Sequence, residues 1–204
     1  MEIAALVDAS TKTSSSDWQT ILNVASTAAG HFSIRQNCAR WAVISYADTA
    51  QESIRLTAHT SLQSLQPAIR SLRLINGGSN LLSALQLLRT QVFGYSIIRT
   101  RATLVAMFVT DELSSCSNQL VTEAHNVRTL GVVIVGIVLT SRQTVNINCV
   151  RQIVTGSLYY EITDNTQYTN IVSQAAQGAC PSDYWSKRSA RSVTKTSFYK
   201  INKY

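Results

Sequence analysis

Short apolar runs alternate along the chain with longer segments in which apolar residues recur every three or four positions. The short runs are typical of buried strands, and the helical spacing is typical of amphipathic helices. The predicted strands are 3–8, 40–48, 53–58, 103–112, 132–140 and 158–163. The predicted helices are 17–32, 62–74, 81–93, 118–131, 146–156 and 168–179. We expect the regular part of the second helix to begin near Pro67, because proline is best tolerated in the first turn of a helix.

This alternation of strands and helices predicts an α/β fold: a doubly wound, mostly parallel six-stranded sheet with helices on both faces. Segment 53–58 alternates between polar and apolar residues, as an edge strand with one exposed face does. We therefore expect it to pair with 40–48 as a hairpin and to be the one antiparallel strand.

The net charge of +7 is concentrated at the C-terminal end of the 204 residues. Residues 181–204 hold six of the 18 Lys and Arg residues and one of the 11 Asp and Glu residues, so they carry +5 and residues 1–180 carry +2. We interpret 1–180 as one folded domain and 181–204 as a basic, flexible tail. The tail suits contact with anionic surfaces, whereas the nearly neutral domain argues against nucleic-acid binding.

Several classes of protein have no support in the sequence. The longest apolar run, 131–139, is about half the length that a membrane span requires, so we expect none. The GxGxxG, P-loop, GxSxG and HExxH motifs are absent, and we expect no enzymatic activity. The first residues do not form the charged segment, apolar core and cleavage site of a secretory signal peptide.

Three polar turns follow predicted strands or a glycine pair, and they carry the candidate chemistry. Asp8 and Ser10 follow the first strand, Ser79 follows the glycine pair of "GGSN", and Asp111 ends the strand 103–112. In a doubly wound sheet such turns meet beyond the carboxyl ends of the strands. Carboxylate and hydroxyl oxygens are the ligands that Mg²⁺ or Mn²⁺ prefers. The alternative is that each of these residues caps the helix that follows it.

With these motifs in view, the chain resembles the von Willebrand factor type A domain, the module of integrin inserted domains, matrilins and collagen VI. The similarity runs over residues 1–180 and rests on five segments in the order of the family. They are "ALVDAS" for the DxSxS strand and motif, "RWAVISYADTA" for the second strand, "GGSN" for the Gly-Gly-x-Thr turn, "VAMFVTDE" for the strand ending in Thr-Asp-Gly, and "LGVVIVGIVL" for the next strand.

The resemblance implies a metal-ion-dependent adhesion site formed by Asp8, Ser10, Ser79 and Asp111, with Mg²⁺ or Mn²⁺ as the cofactor. It also implies a secreted protein of the extracellular matrix or cell surface without enzymatic activity. Its expected partner is a matrix protein, with collagen as one candidate, or another matrix polymer.

Two positions depart from the family motif in a way that bears on the metal. Lys12 occupies the place of the second Ser of DxSxS, and Glu112 the place of the Gly after Asp111. In one geometry the Lys12 ammonium lies between Asp8 and Asp111 and replaces the cation, which would make the domain a metal-independent structural matrix protein. In the other geometry Lys12 points outward, and Thr11, Thr13 or a water fills the missing position.

The four cysteines are widely spaced and do not show the spacing of a zinc site. They suit either two disulfides in an oxidising compartment or four buried thiols. The fold implied by the resemblance places Cys116 and Cys149 at the site-bearing end and Cys38 and Cys180 at the other. We therefore predict the pairs Cys116–Cys149 and Cys38–Cys180.

Overall fold

A six-stranded sheet runs through the centre of the computed structural model, which describes residues 1–94, 98–140, 145–163 and 168–179. The strands are β1 (Glu2–Asp8), β2 (Arg40–Tyr46), β3 (Ala50–Ile54), β4 (Leu104–Thr110), β5 (Val132–Leu139) and β6 (Tyr159–Ile162). The helices are α1 (Ser15–Gly30), α2 (Leu62–Arg70), α3 (Leu81–Leu87), α4 (Asn118–Thr129), α5 (Ile147–Ile153) and α6 (Tyr168–Ala179).

The strand order is β3-β2-β1-β4-β5-β6, and all neighbours are parallel except β2 and β3, which form an antiparallel hairpin. This arrangement confirms the predicted fold class, including the antiparallel edge strand. Helices cover both faces, so the core divides into two apolar clusters, one on each side of the sheet.

Strand β1 shows why the central strands are apolar at nearly every position. Ile3, Ala5 and Val7 point into the cluster that packs against α1, α2 and α6, whereas Ala4 and Leu6 point into the cluster beneath α3, α4 and α5. Because side chains alternate between the two faces of a strand, a strand covered on both faces must be apolar on both.

The edge strand and the second helix begin earlier than predicted. The hairpin turn is tight, with an Ala47 N–H to Thr49 carbonyl hydrogen bond of 3.0 Å, so pairing starts at Ala50 and β3 ends at Ile54 rather than at residue 58. Helix α2 begins at Leu62, where Ser61 caps it, and contains Pro67 in its interior. The expectation that the regular helix begins near Pro67 is therefore wrong, because the cap at Ser61 starts the helix a turn and a half before the proline.

The predicted helix 81–93 divides into two parts. Helix α3 ends at Leu87 and is followed by a π-helical turn over Leu88–Val92, in which the Phe93 N–H donates to the Leu88 carbonyl at 2.7 Å. The wider turn lets Leu88, Val92 and Phe93 all lie in the core.

None of the helices in the described part of the chain is long and apolar enough to cross a bilayer. The basic tail 181–204 lies outside the described residues, so its separation from a domain at 1–180 stays a prediction.

Candidate functional site

Asp8 ends the central strand at the point where the strand order reverses. Strand β1 is flanked by β2 on one side and by β4 on the other, so the connections diverge between the carboxyl ends of β1 and β4. Ligand sites in open α/β sheets form at such a point. We call this end of the sheet, with loops 9–14, 76–80 and 111–117, the upper face.

The Asp8 carboxylate lies at the centre of the upper face. It is fully buried, and its Oδ1 accepts a hydrogen bond of 3.1 Å from the Ser10 N–H. Its Oδ2 accepts a hydrogen bond of 2.6 Å from the Ser79 hydroxyl, and Thr110 Oγ1 lies 2.7 Å from the same oxygen. The Asp8 carboxylate therefore contacts the first polar turn through Ser10 and the second through Ser79. It contacts the strand that leads to the third through Thr110.

Glycine allows the second polar turn to approach Asp48 in the turn between β2 and β3. Gly77 has a φ of 131°, and a Cβ at this position would lie 2.5 Å from Asp48 Oδ2. The Gly78 N–H donates a hydrogen bond of 2.7 Å to Asp48 Oδ1, and the Thr11 hydroxyl donates one of 3.2 Å to the Gly77 carbonyl. These contacts fix the turn that carries Ser79.

Asp111 follows β4 and faces the first loop. It is almost fully buried, and its Oδ1 accepts a hydrogen bond of 2.7 Å from the Thr13 hydroxyl. Beside it, Thr110 Oγ1 accepts a hydrogen bond of 3.0 Å from the Glu112 N–H, and Ser79 Oγ lies 3.3 Å from the Glu112 carbonyl oxygen. The third loop is thus tied to the other two through hydroxyl groups.

Helix capping does not account for the four candidate ligands. Each helix that follows one of the three turns is capped by another residue, which is Ser14 for α1, Asn80 for α3 and Ser117 for α4. Each of these side chains accepts a hydrogen bond from the N–H three positions further along the chain. The helix caps are therefore other residues than the candidate ligands Asp8, Ser10, Ser79 and Asp111.

The environment of the two aspartates disfavours their negative charges. Burial raises the pKa of the Asp8 carboxyl, although hydrogen bonds from Ser79 and Thr110 oppose this effect. Burial also raises the pKa of Asp111, where the Thr13 hydroxyl opposes it and the charge of Asp8 adds to it. A cation between the three loops would stabilise both ionised carboxylates.

Lys12 points away from this centre. Its Nζ lies 2.7 Å from Glu112 Oε1, its side chain is 57% exposed, and the contact with Glu112 raises the pKa of Lys12. The structure therefore has the outward geometry of Lys12 and not the geometry in which the ammonium lies between Asp8 and Asp111. The two residues that depart from the motif form an ion pair with each other.

The family model for the von Willebrand factor type A domain matches residues 2–174. The chain belongs to this family. No curated protein sequence matches it.

Solved structures of this fold include von Willebrand factor type A domains in larger chains. Proximal thread matrix protein 1 from the mussel byssus is 20% identical, with a TM-score of 0.77 over 88% of this chain and 46% of the mussel chain. This chain therefore spans about half the length of the mussel protein. A second structure of that protein, with a zinc-occupied MIDAS motif, is 21% identical, with a TM-score of 0.77 over 88% of this chain and 45% of the other.

The manganese-loaded TRAP protein of Plasmodium vivax is also similar. It is 15% identical, with a TM-score of 0.71 over 86% of this chain and 73% of the Plasmodium chain. At these identities the similarity of both proteins to this von Willebrand factor type A domain shows the fold alone.

The residues at the upper face of this von Willebrand factor type A domain fit a hard divalent cation. Ser10 Oγ is completely buried, adjoins the Asp8 carboxylate and makes no hydrogen bond of good geometry within the described part of the chain, which is costly unless a ligand engages it. In the same ranges no three His, Cys, Asp or Glu side chains form a metal cluster, so the donor set combines two carboxylates with hydroxyls. All-oxygen sets of this kind suit hard divalent cations.

A cleft of about 180 Å³ opens next to the candidate metal site, between the beginnings of α3 and α4. Its lining includes Lys12, Ser79, Glu112, Ser114 and Ser117. Ser79 and Glu112 thus border both the cleft and the cluster around Asp8. The cleft is polar and has room for a side chain of a partner.

Cys116, within the third loop, is bonded to Cys149 in α5, with Cα atoms 5.4 Å apart. This is the first of the two predicted disulfides. Cys38 is exposed and has no disulfide partner among the described residues. Its predicted partner, Cys180, lies outside them, so that pair stays a prediction.

Two residues of the site, Asp48 and Thr110, are not identified from the sequence as contributors, whereas Thr13 is one of the alternatives for the missing motif position. Thr110 could have been found, because it stands in the Thr-Asp segment of the family motif directly before Asp111. The role of Asp48 has no signal in the sequence, since it depends on a contact with a turn 30 residues away.

Proposed function

We propose that this von Willebrand factor type A domain is an extracellular adhesion or matrix-binding module that binds its partner at a divalent-cation site on the upper face. The observation that carries the proposal is the fully buried Ser10 Oγ, which has no hydrogen bond of good geometry in the described part of the chain and adjoins the buried carboxylate of Asp8. A hydroxyl oxygen in this position has lone pairs available to a cation.

Asp8, Ser10, Ser79 and Asp111 would hold the cation. Asp8 and Asp111 would supply the negative charge, which burial makes unfavourable without a cation. Ser10 and Ser79 would supply neutral oxygens. Such a cation would offer an open coordination position to a carboxylate of the partner. Thr110 would keep Asp8 oriented through their contact of 2.7 Å.

The expected partner is a matrix protein such as collagen, or another matrix polymer, and the expected location is outside the cell. The mussel protein with the same fold is a thread matrix protein, which supports a role in a matrix. The Cys116–Cys149 disulfide supports an oxidising compartment. We expect no catalytic activity, and the basic tail, 181–204, is a candidate for contact with anionic surfaces.

The proposal is tested by measuring the melting temperature in EDTA and in millimolar Mg²⁺ or Mn²⁺. A ligand that binds only the native state raises the melting temperature by mass action, so the wild type should melt higher with metal. Asp111→Asn should lose most of this shift because one of the two anionic ligands is removed.

Glu161→Gln is the matched control, because Glu161 is an exposed carboxylate on the edge strand β6. It should keep the full metal-dependent shift. Binding to immobilised collagen and to other matrix polymers, measured in Mn²⁺ and in EDTA, should then depend on metal in the wild type and not in Asp111→Asn. A wild type whose melting temperature ignores metal would refute the cation site.

A metal-independent structural matrix protein is the second candidate. It is favoured by the hydroxyls of Ser79, Thr110 and Thr13, which lie 2.6–2.7 Å from the carboxylate oxygens of Asp8 and Asp111 and solvate them without a cation. Lys12→Ser separates this candidate from the first. If only the variant gains a metal-dependent shift, Lys12 prevents metal binding in the wild type.

A further inference from the structure

We infer that Thr13 supplies to the cation the second hydroxyl of the first loop, which the family motif places at residue 12. The assignment deepens the proposed function and rests on it.

Residue 12 is not available for this role in this chain. The Lys12 side chain is 57% exposed and its ammonium is 2.7 Å from Glu112 Oε1. An ammonium group has no lone pair and cannot ligate a cation. The motif position is therefore occupied by a residue that leaves the centre of the site.

Thr11 and Thr13 flank Lys12, and they differ in where their hydroxyls point. Thr11 is exposed, and its hydroxyl donates to the Gly77 carbonyl at 3.2 Å. Thr13 is only 4% exposed, and its hydroxyl donates to Asp111 Oδ1 at 2.7 Å. Of these neighbours, Thr13 is the one that faces a candidate metal ligand.

The backbone of the loop explains why position 13 replaces position 12. The Thr13 N–H donates to the Ser10 carbonyl at 3.2 Å, which closes a turn over residues 10–13. A turn of this kind brings its first and last residues together, so the buried Ser10 and Thr13 lie on the inner side of the loop. Lys12, at the third position of the turn, is carried outward.

The hydrogen bond to Asp111 is compatible with metal binding by Thr13. A hydroxyl that donates its proton to a carboxylate retains two lone pairs on its oxygen. The negative charge of Glu112 offsets the positive charge of the Lys12 ammonium, so Lys12 adds little repulsion toward a cation held by Asp8 and Asp111. The Thr13 assignment therefore accounts for both departures from the motif.

Titration with Mn²⁺, followed by the EPR signal of the free ion and by the melting temperature, tests the assignment. Thr13→Val removes the hydroxyl at nearly constant shape and should weaken Mn²⁺ binding by about 10- to 100-fold. Thr13→Ser keeps the hydroxyl and should bind like the wild type. Thr11→Val is the control from the same loop and should also bind like the wild type.

A second pair of variants separates a metal ligand from a residue that only positions Asp111. Thr13→Cys places a thiol at the proposed ligand position, and Cd²⁺ should then produce a thiolate-to-metal absorption band in the ultraviolet. Thr11→Cys, which retains the same native cysteines, should not produce the band. Circular dichroism without metal checks that each variant is folded.

The outcomes separate the assignment from the proposed function. If the wild type binds Mn²⁺ but Thr13→Val binds it equally well, or if Thr13→Cys gives no band with Cd²⁺, the assignment to Thr13 is wrong and the cation site remains. If the wild type itself does not bind Mn²⁺, the cation site is refuted and the assignment falls with it.

Discussion

At the scale of single residues, the upper face combines groups that are unfavourable for stability with groups suited to binding. Asp8 is fully buried, has no cationic side chain among its hydrogen-bond partners in the described residues, and has a raised pKa because burial disfavours its charge. A folded-state pKa above the unfolded value means that the ionised carboxylate destabilises the metal-free protein at neutral pH. Asp8 is therefore better explained by ligand binding than by stability.

Asp8→Asn tests this explanation. Without metal, the variant should be at least as stable as the wild type at pH 7, because it removes a buried charge while the Ser79 and Thr110 hydroxyls can reorient toward an amide. Urea unfolding in EDTA measures the difference. With Mn²⁺ present, the order should reverse, since only the wild type gains stability from the ion. A variant that is less stable than the wild type in EDTA would show that the Asp8 carboxylate is itself stabilising.

The candidate metal ligands at the strand ends could be predicted from the sequence. The direction in which a loop side chain points could not. Asp8, Ser10, Ser79 and Asp111 were identified because they stand in turns after strands or glycines. Whether residue 12 or residue 13 faces the site depends on the turn closed by the Thr13 N–H and the Ser10 carbonyl. It also depends on a hydrogen bond to Asp111, 98 residues away, and neither contact has a local signal.

At the scale of elements, the start of α1 fixes the end of the first ligand loop. Ser14 caps the helix: its hydroxyl accepts a hydrogen bond of 3.2 Å from the Asp17 N–H and lies 2.6 Å from Asp17 Oδ2. Ser14→Ala should lower the free energy of unfolding by about 1 kcal/mol. Urea denaturation measures the loss, and Ser15→Ala, an exposed neighbour within the helix, should change stability little. Equal losses in both variants would argue against the cap.

The pattern of apolar residues predicted which helices and strands exist. It did not predict where each of them begins or whether a helix is interrupted. The segment 81–93 keeps helical spacing throughout, yet it contains a π-helical turn over Leu88–Val92, which the spacing of apolar residues does not reveal. In α2, the Ser61 cap outweighs the preference of Pro67 for a first turn. The edge strand starts at Ala50 because the length of the hairpin turn, which the apolar alternation does not encode, sets where pairing begins.

At the scale of the whole molecule, alternation of strand and helix and the family motifs were sufficient to predict the sheet. They did not predict the ionic cluster at its opposite end. Glu2 begins β1 with no exposed surface and contacts Arg40 and Arg99, each at 2.7 Å. These arginines come from β2 and from the segment before β4, 38 and 97 residues away. From the sequence alone, a charged residue at the start of a strand is expected to be exposed. Its buried position depends on partners that are far away along the chain.

This cluster gives the domain a stability that depends on pH. Burial of Glu2 opposes its ionisation, but the hydrogen bonds and charges of Arg40 and Arg99 together outweigh it and lower the pKa of Glu2. A lowered folded-state pKa stabilises the protein above the ordinary pKa of a glutamate, about 4.3, and this contribution is lost as the pH falls through the lowered value. Glu2→Gln should therefore reduce the free energy of unfolding by about 3 kcal/mol at pH 7.

The difference between wild type and Glu2→Gln should shrink as the pH falls below about 4, because the unfolded wild-type chain then binds a proton at Glu2 before the folded protein does, and it should be smallest once the pH lies below the lowered pKa of the folded state. Urea unfolding at pH 7, 5 and 3 measures this convergence. Glu161→Gln, which alters an exposed glutamate at the far edge of the sheet, should differ little from the wild type at any of these pH values. A loss in Glu2→Gln that stays constant from pH 7 to pH 3 would show that Glu2 acts through packing and not through its ion pairs with Arg40 and Arg99.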